Sequence, residues 1–393
     1  MGGGRRAVVL VMDGVGVGAA VDADAFGDAG SDTLGHVCGA AGGLALPNLE
    51  RLGLGGVAPL AGVAELDAPA ALVGRLAERS AGKDTTTGHW ELMGLRTETP
   101  PPVYPNGFPP EVMDPFAERT GRGWLCNAPA SGTEVIERFG EEHMRTGALI
   151  VYTSADSVFQ IAAHEDVVPH EELYRYCAIA RDILTGPHAV SRVIARPFEG
   201  VPGAFARTRR RKDFSVEPHG DTALDRLVAA GVAVEGVGKI KQIFAGRGVV
   251  GEHLMQDNHD GMAITTALAR ELRSGLVFVN LIDFDMLYGH RNDPAGFADC
   301  LRELDADLRP LLDALGEDDL LILTADHGND PTTASTDHSR EWVPLLVHRP
   351  AHDPGRARWV GEFGDVGQTV LRWLAPEAPA DGLSGRPVPV PGR

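Results

Sequence analysis

Aspartate and histidine gather in four short segments of this 393-residue chain. They are Asp13 in VMDGVG, Asp285 and His290 in NLIDFDMLYGHRND, Asp326 and His327 in TADHGND, and His338 in STDHSRE. Carboxylates and imidazoles mixed in this way, with no thiolate among them, suit Mn²⁺, Zn²⁺ or Fe²⁺. Six such groups exceed the needs of one tetrahedral site, which points to two metals. Two divalent ions close together can clamp the attacking and leaving oxygens of a phosphoryl group. Each segment also has a plain structural reading. Asp13 alone fits a helix cap or turn acid, Asp283 and Asp285 fit loop polars, and His338 alone fits a surface histidine. ADHG resists that reading, because adjacent Asp and His at the end of an apolar strand have little structural purpose. Together the four segments favour metal binding. The remaining histidines, such as His164, His170, His253 and His348, are read as satisfied or solvated imidazoles.

A second chemical candidate is the run GKDTTTGHWELMG at 82–94. A hydroxyl at a helix N-terminus lies at the positive end of the macrodipole, among free N–H groups. That suits a nucleophile destined to carry a phosphoryl group, and a bound metal would ease loss of its proton. The bland alternative is an N-cap followed by two filler threonines, and an isolated TTT would be read that way.

The elements that must position these groups follow from hydrophobic patterning. Continuous apolar runs at 7–12, 276–283, 319–325 and 343–347 suit strands buried on both faces, as in a parallel sheet under helices. Helical patterns at 222–231, 260–274 and 294–315 lie between them. This alternation indicates an α/β fold, in which ligands gather at the carboxyl ends of the strands. Pro100, Pro101, Pro102, Pro105, Pro109 and Pro110 crowd one segment and mark a domain crossing. Strands near 148–154 and 189–196, a helix near 170–185 and the basic stretch RTRRRKD follow. The expected organisation is a core from 1–98 and 219–393, with an inserted domain over 99–218.

Bulk properties narrow the function. A hydrophobic content of 43% and a charged content of 23% are ordinary for a soluble globular protein. The formal charge of −19 argues against a general nucleic-acid or anionic-membrane binder. An anionic substrate would therefore need local metal ions or arginines. Cys38, Cys126, Cys177 and Cys300 are far apart with no CxxC pair, which favours reduced thiols and a cytoplasmic address. No apolar run approaches the ~20 residues of a membrane span, and the run after Met1 is too short for a signal segment. With no pairing strand or heptad evident, a monomer is the expectation.

Over nearly its whole length the chain resembles the phosphopentomutase family of the alkaline phosphatase superfamily. The resemblance rests on VMDGVGVGAA, GSDTLGH, LPNLERLGLG, GKDTTTGHWELMGL, YTSADSVFQIAAHE, RVIARPF, GKIKQIF, NLIDFDMLYGHRND and TADHGNDPTTASTDHSREWVPLL, in the family's order. It implies an alkaline-phosphatase-like core with a mostly parallel sheet flanked by helices, plus a smaller inserted α/β cap that closes to exclude water. It implies two Mn²⁺ ions, one held by Asp13, Asp326 and His327 beside the nucleophile, the other by Asp285, His290 and His338. Thr85 would carry the phosphoryl group and contact metal, Thr86 would pack, and Thr87 would satisfy backbone groups in the first turn. Ser154, Asp156 and Val158 would lie near the sugar, with Arg192, Ile194, Arg207 and Arg211 around the distal phosphate. Arg209 and Arg210 stand where the family commonly has Gly-Asn and are read as solvated. Asn329 stands in place of a frequent cysteine and Thr86 in place of a methionine, and neither is a ligand. The implied activity interconverts ribose 1-phosphate and ribose 5-phosphate, or the 2-deoxyribose pair, through a pentose 1,5-bisphosphate. Glucose 1,6-bisphosphate or ribose 1,5-bisphosphate would act as activator. The alternatives are a phosphatase or phosphodiesterase on the same core, a cofactor-independent phosphoglycerate mutase, and a non-catalytic sugar-phosphate sensor.

Overall fold

The four apolar runs singled out in the sequence all become strands of one sheet. A computed structural model describes residues 4–154 and 157–390. In chain order the strands are β1 (Arg6–Met12), β2 (Ala71–Ala77), β3 (Trp124–Pro129), β4 (Leu149–Thr153) and β5 (Val158–His164). Next come β6 (Arg192–Glu199), β7 (Ala206–Arg207), β8 (Lys212–Ser215), β9 (Val234–Val237) and β10 (Gly251–His253). The last four are β11 (Gly275–Leu281), β12 (Asp319–Thr324), β13 (Val343–His348) and β14 (Arg358–Glu362).

The chain divides into two compact units, Met1–Thr99 with Pro218–Arg393, and Pro100–Glu217. The first holds an eight-stranded sheet in the order β10-β9-β11-β1-β12-β13-β2-β14. Its β1, β11 and β12 are parallel neighbours, whereas β13 runs antiparallel to both β12 and β2. The α/β class with a mostly parallel sheet flanked by helices is thus as expected, with β13 the exception. An apolar run carries no direction, so VPLLV alone did not reveal it.

Register explains why the chemical residues meet. Met12 pairs with Leu281, and Val11 with Thr324, so three parallel strands stop at one edge. Asp13, Asp285 and Asp326 lie one, four and two residues beyond those strand ends. β1 is buried from Ala7 to Met12, and β11 and β12 are buried throughout. Burying each such aliphatic side chain stabilises the fold by about 1.5–3 kcal/mol. The helix Asn258–Glu271 packs on β11, and the helix Asp365–Leu374 packs on β1 and β11.

The second unit carries a six-stranded mixed sheet in the order β3-β4-β5-β6-β7, with β8 also paired to β6. The helices Pro110–Thr120 and His170–Ile183 supply residues such as Phe116 and Leu173 to a core with Phe159 and Ile161. The other face packs Val135 and Ile136 of the helix Gly132–Thr146 against Ile150 and Tyr152. Among the described residues, no helix is long and apolar enough to cross a membrane.

Leu10 is fully buried at the centre of the first sheet. Leu10→Ala should lower unfolding free energy by about 2–5 kcal/mol, read as a fall in the urea midpoint at unchanged slope.

Candidate metal centre

Two clusters of ligand-type atoms form at the shared edge of β1, β11 and β12. Asp13, Asp326 and His327 make one; Asp285, His327 and His338 make the other. His327 Nε2 lies 3.3 Å from Asp13 Oδ1 and 3.4 Å from Asp326 Oδ2. Asp285 Oδ2 lies 3.1 Å from His290 Nε2, and its Oδ1 lies 3.4 Å from His338 Nε2. His327 and His338 stack with ring centroids 3.9 Å apart. All six expected ligand residues therefore gather in one place, with His327 reaching both clusters.

The donor set fits divalent ions. Asp13 Oδ1, Asp326 Oδ2 and His338 Nε2 are buried and have no hydrogen-bond partner among the described residues. Buried polar atoms are ordinarily partnered, and these three point at neighbouring ligand atoms of the same clusters. Oxygen and imidazole donors of this kind suit Mn²⁺, Zn²⁺ or Fe²⁺.

Charges in the metal-free cluster compensate one another. Burial disfavours a charged His327, but the carboxylates of Asp326 and Asp13 outweigh it and raise the imidazole well above its usual 6.5. Burial, with the nearby Asp326 charge, raises Asp13. Burial also opposes an ionised Asp285, yet the close imidazoles of His290 and His338 hold it well below the usual carboxylate range. Metal ligands bind without their protons, so an incoming ion must displace them.

The threonine run sits beside the first cluster. Thr85 opens the helix Thr85–Leu92, and its Oγ1 lies 3.1 Å from His327 Nε2. The cap is Asp84, whose Oδ1 accepts from the N–H groups of Thr86 and Thr87 at 3.0 and 3.2 Å. Thr87 Oγ1 donates to Asp84 Oδ2 at 2.6 Å, so it braces the cap and does not serve the backbone directly. Thr86 is only half-buried, less enclosed than a packing residue would be. Helix and ligand loop touch closely at Gly88, where a Cβ would come within 2.1 Å of the Asp326 carbonyl oxygen.

Three positioning groups escaped the sequence reading. Buried His89 presents Nδ1 to the Thr85 carbonyl at 2.9 Å and to Asp326 Oδ2 at 3.1 Å. Arg340, also buried, pairs with Glu78 at 2.8 Å and donates to the carbonyls of Gly82 and Glu78. It thereby ties the loop before Thr85 to the segment carrying His338. Asp84 is the third. Its position just before TTT was a visible cap signal; a lone Arg in STDHSRE gave none.

The expected sugar-phosphate residues lie in the second unit, except that Asp156 falls outside the described residues. Val158 begins β5 directly opposite Arg192 at the start of β6, and Ile194 is buried two residues on. Arg192 and Arg211 converge on Asp213, at 3.7 and 2.7 Å. Arg207 pairs with Phe198, six residues along β6 from Arg192, so their backbones are roughly 20 Å apart. Ser154 is half-buried just beyond β4, and Arg209 is exposed. Arg210, expected to be solvated, is exposed but pairs with Glu165.

Comparison with known proteins accords with this centre. A family profile described as the metalloenzyme superfamily matches residues 5–378, which defines the class of protein. A phosphopentomutase from Anaeromyxobacter dehalogenans (strain 2CP-C) is 58% identical over 94% of this chain and 95% of its own. One from Carboxydothermus hydrogenoformans is 56% identical over 88% of this chain and 89% of its own. A solved structure of Leishmania mexicana phosphoglycerate mutase aligns with a TM-score of 0.46 at 13% identity, covering 96% of each chain. The chain belongs to the phosphopentomutase family, enzymes of the isomerase class that act as intramolecular phosphotransferases.

Proton displacement gives a direct check of the centre. Because His327 and Asp13 are raised, the metal-free form holds protons that binding must expel, so affinity should fall as pH drops. The dependence should already be present above pH 6.5, the usual histidine value. Titrating Mn²⁺ into weakly buffered metal-free protein with a pH indicator should register proton release.

Proposed function

We propose that this enzyme interconverts α-D-ribose 1-phosphate and D-ribose 5-phosphate, and the 2-deoxyribose pair, with Thr85 as phosphoryl carrier at a dinuclear divalent-metal centre. The observation that carries this reading is the Thr85 hydroxyl, at a helix N-terminus and 3.1 Å from His327 in the first cluster. Asp13, Asp326 and His327 would hold one ion, and Asp285, His290 and His338 the other, with Mn²⁺ the expected metal. Such ions would screen the charge of a transferring phosphoryl group and favour the ionised form of the threonine hydroxyl.

The chain's own residues do the rest. Phosphorylated Thr85 gives its phosphoryl to the free hydroxyl of a bound pentose monophosphate; the Thr85 O–P bond breaks, the sugar O–P bond forms, and the hydroxyl proton departs. The resulting pentose 1,5-bisphosphate returns its other phosphoryl to Thr85, leaving the isomer. The helix start would set the positive end of its macrodipole near the transferring group, while Asp84, His89 and Arg340 keep Thr85 in place. Ser154, Asp156 and Val158 would meet the sugar, and Arg192, Ile194, Arg207 and Arg211 would lie around its distal phosphate, since guanidinium suits bidentate phosphate contacts. Glucose 1,6-bisphosphate or ribose 1,5-bisphosphate would prime Thr85. The working state we propose is a cytoplasmic monomer whose partners are small sugar phosphates, with no nucleic acid or membrane.

A coupled assay on ribose 1-phosphate tests the reading. Turnover should require both Mn²⁺ and a bisphosphate primer, with isomer formed in large excess over free phosphate. Thr85→Ala should abolish it, while Thr85→Ser retains part. Wild-type turnover in Thr85→Ala, or free phosphate as the main product, would contradict the proposal.

A further inference from the structure

Two buried asparagines face ligand carboxylates, one in each cluster. Asn280 interrupts the apolar run of β11, is fully buried, and donates from Nδ2 to Asp13 Oδ2 at 2.7 Å. Asn329 follows β12, is equally buried, and donates from Nδ2 to Asp285 Oδ1 at 2.7 Å. In both, the amide's own Oδ1 is buried without a hydrogen-bond partner among the described residues. A buried amide oxygen left unpaired weakens folding, and an apolar side chain of similar shape would avoid that loss. Two asparagines with the same half-satisfied geometry therefore point to a task performed by the N–H end. The orientation is fixed by the contact itself, since a reversed amide would set its oxygen against a carboxylate oxygen.

Neutral donors suit this place. A lysine or arginine would pair with the carboxylate and cancel the charge that attracts a cation, whereas an amide restrains one oxygen and leaves the charge intact. Asn329 is itself held, because its backbone N–H donates to Thr33 Oγ1 at 3.2 Å, and that hydroxyl donates to Glu341 Oε1 at 2.8 Å. The third carboxylate, Asp326, is restrained by the Gly14 N–H at 3.2 Å, so only Asp13 and Asp285 depend on asparagines. We infer that Asn280 and Asn329 are positioning residues, each dedicated to one ion: Asn280 orients Asp13 in the first cluster, and Asn329 orients Asp285 in the second. This rests on the dinuclear reading above.

The experiment is calorimetric titration of Mn²⁺ into metal-free full-length protein. Wild type should bind two ions. Asn280→Leu and Asn329→Leu keep side-chain volume but remove the donor. Each should bind one ion normally and the other about 10–100-fold more weakly. Alanine versions replace any leucine variant that does not fold, as judged by circular dichroism. Asn258 is a buried asparagine bonded to Cys300 and Asp283 and to none of the six ligand residues among the described hydrogen bonds. Asn258→Ala should lower thermal stability yet bind both ions as wild type does. Two ions of unchanged affinity in both ligand-facing variants overturns the inference, as does equal weakening of both ions in every variant including Asn258→Ala. Fewer than two ions in wild type instead overturns the dinuclear reading, and the pairing with it.

Discussion

Burial of Asp13, Asp285 and Asp326 at one edge of the sheet is the constraint on which the rest of the structure depends. Removing a single ionised carboxylate from water costs several kcal/mol in a protein interior, and here three are brought together with almost no solvent. Positive charge must meet them. His327 and His290, both raised by the carboxylates beside them, supply some as protonated imidazoles, and divalent ions supply more in the loaded enzyme. The parallel register of β1, β11 and β12 imposes this crowding, because strands that stop together deliver their following residues to one point.

The surroundings answer the same constraint. Gly14, with φ 78°, allows the turn after Asp13 and sends its N–H to Asp326. Gly88 lets the Thr85 helix lie against the Asp326 backbone. Arg340 and Glu78 form a buried pair that fixes the approach to Thr85. A threonine hydroxyl at that helix start is thus held against a cluster able to concentrate positive charge, the setting a phosphoryl carrier needs.

Much of this was legible in the sequence because it depends on local pattern. Runs such as AVVLVM and DLLILT can be buried only as interior strands, and polar residues just past them must lie at the sheet edge. The residues that gather there were visible for that reason, including the otherwise ambiguous Asp13 and His338. Strand direction was not legible: β13 is apolar enough for the centre, and its antiparallel pairing is set by tertiary contacts with β12 and β2. The Gly-containing β2 and the half-exposed β14 lacked a strong periodic signal. His89 and Arg340 escaped notice because their partners, Asp326 and Glu78, are more than two hundred residues away in sequence. The arginines of 207–211 were hard to place for a related reason, since Arg207 and Arg211 flank an irregular break between β7 and β8, two segments that both pair antiparallel with β6.

The central claim is that Thr85 itself carries the phosphoryl group. Peptide mass spectrometry of the protein, after incubation with Mn²⁺ and glucose 1,6-bisphosphate and rapid quenching, tests it most directly. The account predicts a single phosphoryl group on residue 85, removed when excess ribose 5-phosphate is added. A phosphoryl group on another residue, or none at all in protein that turns over, would contradict it.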